Sequence, residues 1–312
     1  MMENKLNVVS VPQIRHIDTT QSIMLDVVIA LCPAAIYGCF LFGYKAAIVL
    51  LVSILSAVLA EYVWCKIAKK NVTIGDFSAV VTGLLLGMNL SPSINPLIAA
   101  LGSVIAIVVV KQLFGGLGHN FANPAIAARI VLLVSFPAQM TRFLEPLNYK
   151  VVATATPLGA DTMPSLFNLF FGKTSGCIGE TSAFLLLIGG IYLVIRRVIK
   201  PIIPIAFIGS LFILTFITSG SFVDGLSSVL AGGVMLGAIF MATDYTTSPC
   251  TNIGKLIFGL GCGLITFVIR NFASLPEGVS YSILLMNILT PHINNLTLSK
   301  PFGSKEARKN EK

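Results

Sequence analysis

Charge is scarce in this chain. Only 11% of its 312 residues are Asp, Glu, Lys or Arg, against about 25% in soluble globular domains, which excludes an ordinary water-facing fold. Histidine is scarcer: His16, His119 and His292 are the whole set. No two have the spacing of metal ligands, which argues against a zinc site. The six cysteines (Cys32, Cys39, Cys65, Cys177, Cys250 and Cys262) include no C-x-x-C pair. Most lie in or beside apolar stretches, where a thiol serves as a small buried hydrophobe. An iron–sulfur cluster held by this chain alone would need four thiolates arranged together. Cys32 and Cys39 stand seven apart on one helix face, which leaves open a thiol pair contributed to a shared cluster. Residues 1–22 have no short apolar core followed by a small-residue cleavage site, so no cleavable signal peptide is expected. They read as a cytoplasmic tail and interfacial segment.

What the chain has in quantity is apolar sequence, 55% of it. A membrane-spanning helix needs roughly 20 mostly apolar residues. Ten such stretches are expected, at 23–42, 46–67, 77–90, 96–113, 124–140, 181–199, 202–219, 226–242, 254–272 and 279–297. The third and eighth are short and glycine-rich, as broken helices lining an enclosed site are. The net charge of +8 is then a topology signal rather than a mark of nucleic-acid binding. Placing both termini inside puts fifteen of the 21 Lys and Arg on the inner side and five outside, with Arg129 within a span. The positive-inside rule favours that orientation. It places the long loop 141–180 outside.

The two halves resemble each other. Ser78, Gly83 and Gly87 match Ser228, Gly233 and Gly237 at an offset of 150. Ser91-Pro92, Asn95 and Gly102 match Ser248-Pro249, Asn252 and Gly259 at an offset of 157. Five spans per half would invert the second copy and put a site near the midplane, between discontinuous helices. The expected architecture is an all-α polytopic membrane protein of two inverted five-helix repeats. It divides into a tail 1–22, a first repeat 23–140, an external loop 141–180, a second repeat 181–297 and a basic cytoplasmic tail 298–312.

Polar motifs interrupt the apolar text. In FGGLGHNFANPAIAARI (114–130), Asn123 is placed to cap the fifth span, with Pro124 at its first helical position. The stretch reads either as a well-made turn and helix start or as a helix N-terminus with free N–H groups facing an anion or cofactor ring. Gly118, Asn120 and Asn123 are its candidate cofactor contacts. NPA also occurs in water channels, but the second half has no matching NPA. His119, alone among glycines, reads as interfacial. Acids in or near spans are functional candidates by default: Asp26, Glu61 and Asp244. Each could equally be a solvated or capping residue. Asp244 stands among hydroxyls in FMATDYTTSP (240–249), a cluster suited to a cation or to hydrogen-bonding a cofactor.

The external loop carries VVATATPLG (151–159). Threonine is a poor nucleophile unless something activates it, and this strip has no base. It reads as an ordinary polar loop or as a hydroxyl modified by a separate enzyme. Small neighbours would admit that enzyme, and Pro157 would keep the strip non-helical.

IRHIDTTQSIMLDVVIALCPA, GGLGHNFANPAIAARIVLLVSFP, ATPLG and FMATDYTTSP, in this order, resemble the D-subunit family of the Rnf electron-transport complex. The B subunit of sodium-pumping NADH:quinone reductase is a more distant relative. The likeness runs from about residue 10 to 297. It implies a subunit of an ion-translocating ferredoxin:NAD⁺ oxidoreductase in the bacterial cytoplasmic membrane, coupling electron transfer to Na⁺ or H⁺ movement. Its partners would be the A, B, C, E and G subunits, membrane lipid and a flavin transferase, and it would not be catalytic alone. The resemblance also implies FMN joined by a phosphoester to the threonine of the A-T-P-L pattern, which is Thr156 here. Ala153 stands where Ser or Thr is commoner and Thr154 at a usually small position, making Thr154 the second acceptor. The family allows a further non-covalent flavin, riboflavin, within the bundle. Two other readings are the B subunit of the quinone reductase and a flavin-free channel or transporter for a small solute.

Overall fold

The computed structural model describes residues 18–147, 151–153, 164–273 and 278–298. Helix α1 (Thr20–Phe42) starts at a capping box: the Thr19 hydroxyl accepts from the Ser22 N–H and the Ser22 hydroxyl accepts from the Thr19 N–H. It stops at Gly43, whose φ of 73° only glycine adopts freely, and α2 (Tyr44–Ile67) begins at the next residue. A short 3₁₀ turn at Ile74–Asp76 precedes α3 (Ser78–Met88). Asn95 with Pro96 opens α4 (Pro96–Val104), which runs on as a π-helical stretch at Ile105–Gln112. Next come α5 (Pro124–Ser135) and the single turn α6 (Pro137–Met140).

The loop beyond α6 departs from an all-helical expectation. Strand β1 (Arg142–Leu144) pairs antiparallel with β2 (Val151–Ala153), in the register Arg142↔Ala153 and Leu144↔Val151. Adjacent valines at 151 and 152 favour the extended backbone. Thr154 and Thr156 lie outside the described residues.

The chain re-enters through α7 (Leu166–Phe171), α8 (Ala183–Ile195) and α9 (Ile202–Ser219). The glycine-rich stretch 226–242 is broken, as expected. Helix α10 (Phe222–Leu230) meets α11 (Val234–Leu236, continued as a π turn to Met241) at a bend of 66°. Helices α12 (Asn252–Phe272) and α13 (Val279–Thr297) complete the bundle.

Among the described residues, four helices are long and apolar enough to cross a membrane: α1, α2, α9 and α12. The bent α10–α11 pair makes a fifth. Helices α3, α4 with its π extension, α5 and α8 are shorter apolar segments. Large apolar side chains such as Phe40, Leu59, Ile205 and Ile217 cover the outside. A surface this oily suits lipid, not water. This is a multi-pass membrane protein. Inside, close helix crossings rest on small residues, as membrane interfaces do. A Cβ at Gly189 of α8 would stand 2.4 Å from the Ala30 carbonyl oxygen of α1, and one at Gly83 of α3 would stand 2.8 Å from the Ser53 carbonyl oxygen of α2. Helix α2 packs on α3 and α4, α9 packs on α10 and α12, α1 meets α8, and α5 meets α13.

Candidate functional site

Loop 113–123 turns on Gly115, Gly116 and Gly118, all with positive φ. It delivers Asn123 to the start of α5. The Asn123 side-chain oxygen accepts from the N–H groups of Ala125 (3.0 Å) and Ile126 (3.4 Å). Its amide nitrogen donates to the Met241 carbonyl at 3.2 Å. One side chain therefore caps α5 and ties it to the end of the π turn that follows α11.

Asp244 follows three residues after Met241. Its carboxylate accepts from the hydroxyls of Thr246 (3.0 Å) and Thr247 (3.3 Å). Burial pushes its pKa up from the usual value, and the two threonines offset part of that rise. No ion pair to Asp244 occurs among the described residues.

Asn120, Asn123 and Asp244 line one cavity, together with Thr82, Lys111 and Thr243. Apolar walls come from α1 (Met24, Val27), α8 (Leu193) and the π turn (Phe240). The enclosed space is about 80 Å³, room for several waters or a small hydrated cation. A fused-ring ligand would require the exposed lining side chains Leu117 and Tyr245 to give way. The Asn120 side-chain oxygen is buried and has no hydrogen-bond partner among the described residues, so it suits a donor or a cation brought by a ligand. Gly118 does not line the cavity: its surroundings are open, with nothing within 4 Å of an added Cβ.

The other two acids are held in place by partners. Glu61, fully buried, receives the Lys111 ammonium at 3.0 and 2.9 Å, the Gln112 amide at 3.0 Å and the Thr73 hydroxyl at 2.7 Å. Lys111 also donates to the Ser78 hydroxyl at 2.6 Å, which in turn donates to Asp76. The π stretch carries both Lys111 and Gln112 to the end of α2; its wide turn closes with the Leu113 N–H on the Val108 carbonyl. Asp26 accepts from the Tyr192 hydroxyl (2.8 Å) and the Arg196 guanidinium (3.2 Å), so α1 and α8 are bridged at one end.

Composition and spacing did not single out Glu180. It lies 3.2 Å from Arg129, with both side chains buried. Arg129 also donates to Asn89 (3.0 Å) and Ser280 (2.9 Å). An arginine inside a span is the one signal that announces such a cluster. Among the described residues, no three His, Cys, Asp or Glu side chains converge as metal ligands do.

Residues 7–303 match the NQR2, RnfD, RnfE family. The chain is 45% identical to the D subunit of the Na⁺-translocating ferredoxin:NAD⁺ oxidoreductase complex of Acetobacterium woodii, with 100% of both chains covered. It is 42% identical to the D subunit of the proton-translocating ferredoxin:NAD⁺ oxidoreductase complex of Clostridium ljungdahlii, covering 97% of this chain and 98% of that one. Identity to the D subunit of the ion-translocating oxidoreductase complex of Halorhodospira halophila is 33%, over 90% of this chain and 91% of the relative. With likeness extending over nearly its whole length, the chain belongs to the NQR2, RnfD, RnfE family.

Proposed function

We propose that the chain is the D subunit of an ion-translocating ferredoxin:NAD⁺ oxidoreductase in a bacterial cytoplasmic membrane, working with the A, B, C, E and G subunits. The observation that carries this is the full-length identity of 45% and 42% to two proteins so named. The chain alone is not the catalyst. It contributes a membrane scaffold of ten spans in two inverted repeats. The matching packing of α2 on α3 and α4 with that of α9 on α10 and α12 supports the repeat.

In this reading Thr156 carries FMN as a phosphoester made by a flavin transferase, with Thr154 as the second acceptor. The ATPL strip supports it, together with a β ribbon whose second strand ends at Ala153, three residues before Thr156. Bound flavin supplies one- and two-electron chemistry that no side chain can. A second, non-covalent flavin such as riboflavin would be held at the cavity by Asn120 and Asn123, with the Asn120 oxygen, unpartnered among the described residues, free to accept a hydrogen bond from it. The protein's own part there is to hold the two amides and Asp244 on elements from both halves. Asp244 is the favoured coupling residue for Na⁺ or H⁺. It lines a cavity and lacks a cationic partner among the described residues, whereas Glu61 and Asp26 are already neutralised by Lys111 and Arg196.

The test is a flavin readout on the denatured chain, co-expressed with its transferase. In-gel fluorescence is expected, and peptide mass spectrometry of loop 141–180 should show the mass of FMN less water on Thr156. Thr156→Ala should turn the band dark. A dark wild-type chain would favour a flavin-free transporter. Membranes that reduce quinone with NADH, and not NAD⁺ with ferredoxin, would favour the quinone reductase relative.

A further inference from the structure

Helices α8 and α9 are joined by a short turn and leave a furrow between them on the outside of the bundle. The furrow encloses about 530 Å³, within the roughly 300–1,000 Å³ range of ligand clefts. All twelve residues lining it are apolar, with Ile191, Val194, Ile205 and Ile208 among them. Gly190 and Gly209 keep it open, since neither has a side chain to fill it.

The furrow ends in charge. Its lining includes Ile195, Ile199 and Pro201, and Arg196, Arg197 and Lys200 interleave with them along the turn. Arg196 is occupied by Asp26. Arg197 and Lys200 are exposed, and neither has an acidic partner among the described residues. Lys200 rests on the Asn252 side-chain oxygen at 3.2 Å, near enough to Lys255 for the two charges to act on each other. Arg197 sits at φ 58°, a left-handed conformation that glycine or asparagine fills more readily. An apolar slot of this size capped by two uncompensated cations is complementary to one kind of molecule: an acyl chain attached to an anionic headgroup. A wholly apolar transmembrane helix from another protein of the complex would match the slot and leave the cations unanswered.

We propose that this furrow is a binding site for an anionic phospholipid of the inner leaflet. The acyl chain lies against Ile191, Val194, Ile205 and Ile208, and the phosphate is held by Arg197 and Lys200. Basic residues at the inner end of an intramembrane groove are the usual receptor for such headgroups. The leaflet assignment rests on the proposed orientation; the lipid chemistry does not.

The test uses the purified, delipidated complex and native mass spectrometry. Phosphatidylglycerol should be retained on this chain, phosphatidylcholine of the same acyl composition should not, and glycerol phosphate without a chain should not. Arg197→Ser with Lys200→Ser should weaken retention roughly 30-fold, the effect of two basic residues at a membrane surface. Should that variant fail to assemble, a photo-reactive amino acid at Ile205 in otherwise wild-type protein decides the matter. A phospholipid adduct supports the site, and an adduct to another protein of the complex overturns it. Equal retention of phosphatidylcholine also overturns it.

Discussion

At the scale of single residues, two acids with different surroundings, Glu61 fully buried and Asp244 half-buried, should behave in opposite ways. Glu61 and Lys111 form a fully buried pair, bidentate at 3.0 and 2.9 Å. Removing one partner leaves an uncompensated charge in a low-dielectric interior, at a cost of about 3–5 kcal/mol. Lys111→Met alone should therefore sharply lower the melting temperature of the detergent-solubilised protein. Adding Glu61→Gln should restore much of the loss. A double variant no better than the single one would mean that the pair does not act as a unit. Asp244 has no ion pair among the described residues, and burial raises its pKa in the folded state. The unfolded value is about 3.9. Stability contributed by the protonated form is complete below that value and is lost as pH rises through the raised folded value. Melts taken upward from about pH 4 should fall in the wild type and stay flatter in Asp244→Asn. An unchanged slope in the variant would assign the titration to another acid.

At the scale of elements, glycine positions distinguish tight crossings from open turns. A Cβ on Gly83 would meet the backbone of α2 at Ile54 and Ser53, both 2.8 Å away. Gly75 has nothing within 4 Å. Gly83→Ala should destabilise the fold by about 1–3 kcal/mol through overpacking, while Gly75→Ala should leave the melt unchanged. Equal melts for the two would mean that α3 can move away from α2. Helix beginnings were legible in the sequence because their causes are local. Asn123-Pro124 places a capping oxygen just before a residue that needs no N–H partner and opens a helix as read, and Asn95-Pro96 opens α4 by the same device. Glycine-rich text likewise marked the short α3 and the break before α11. The charge pairs were not legible. Glu61 and Lys111 are 50 residues apart, and Asp26 and Arg196 are 170 apart. Only the packing of α1 on α8, and of α2 on the π stretch, brings them together. Asn120, Asn123 and Asp244 were each visible as polar residues in apolar text, yet their meeting in one cavity required the fold.

At the scale of the whole molecule, orientation decides which chemistry meets which compartment. The cavity, the Glu61–Lys111 pair and the Asp26–Arg196 pair all lie at the span ends assigned inside by the basic-residue count, and the same count assigns loop 141–180 to the outside. On the proposed function, the flavin-bearing loop and the coupling residue Asp244 then face opposite sides of the membrane. One natural thiol and one engineered one make this testable. Cys250, at the inner end before α12, and Lys173, in the outer loop before α8, are both exposed. In intact cells, a membrane-impermeant maleimide should label Lys173→Cys at once and reach Cys250 only after permeabilisation. Cys250→Ser should remove the second signal and confirm its source. The reverse order of labelling would turn the bundle over. It would place Thr156 on the cytoplasmic side and make the proposed transfer of charge across the membrane run between the wrong faces.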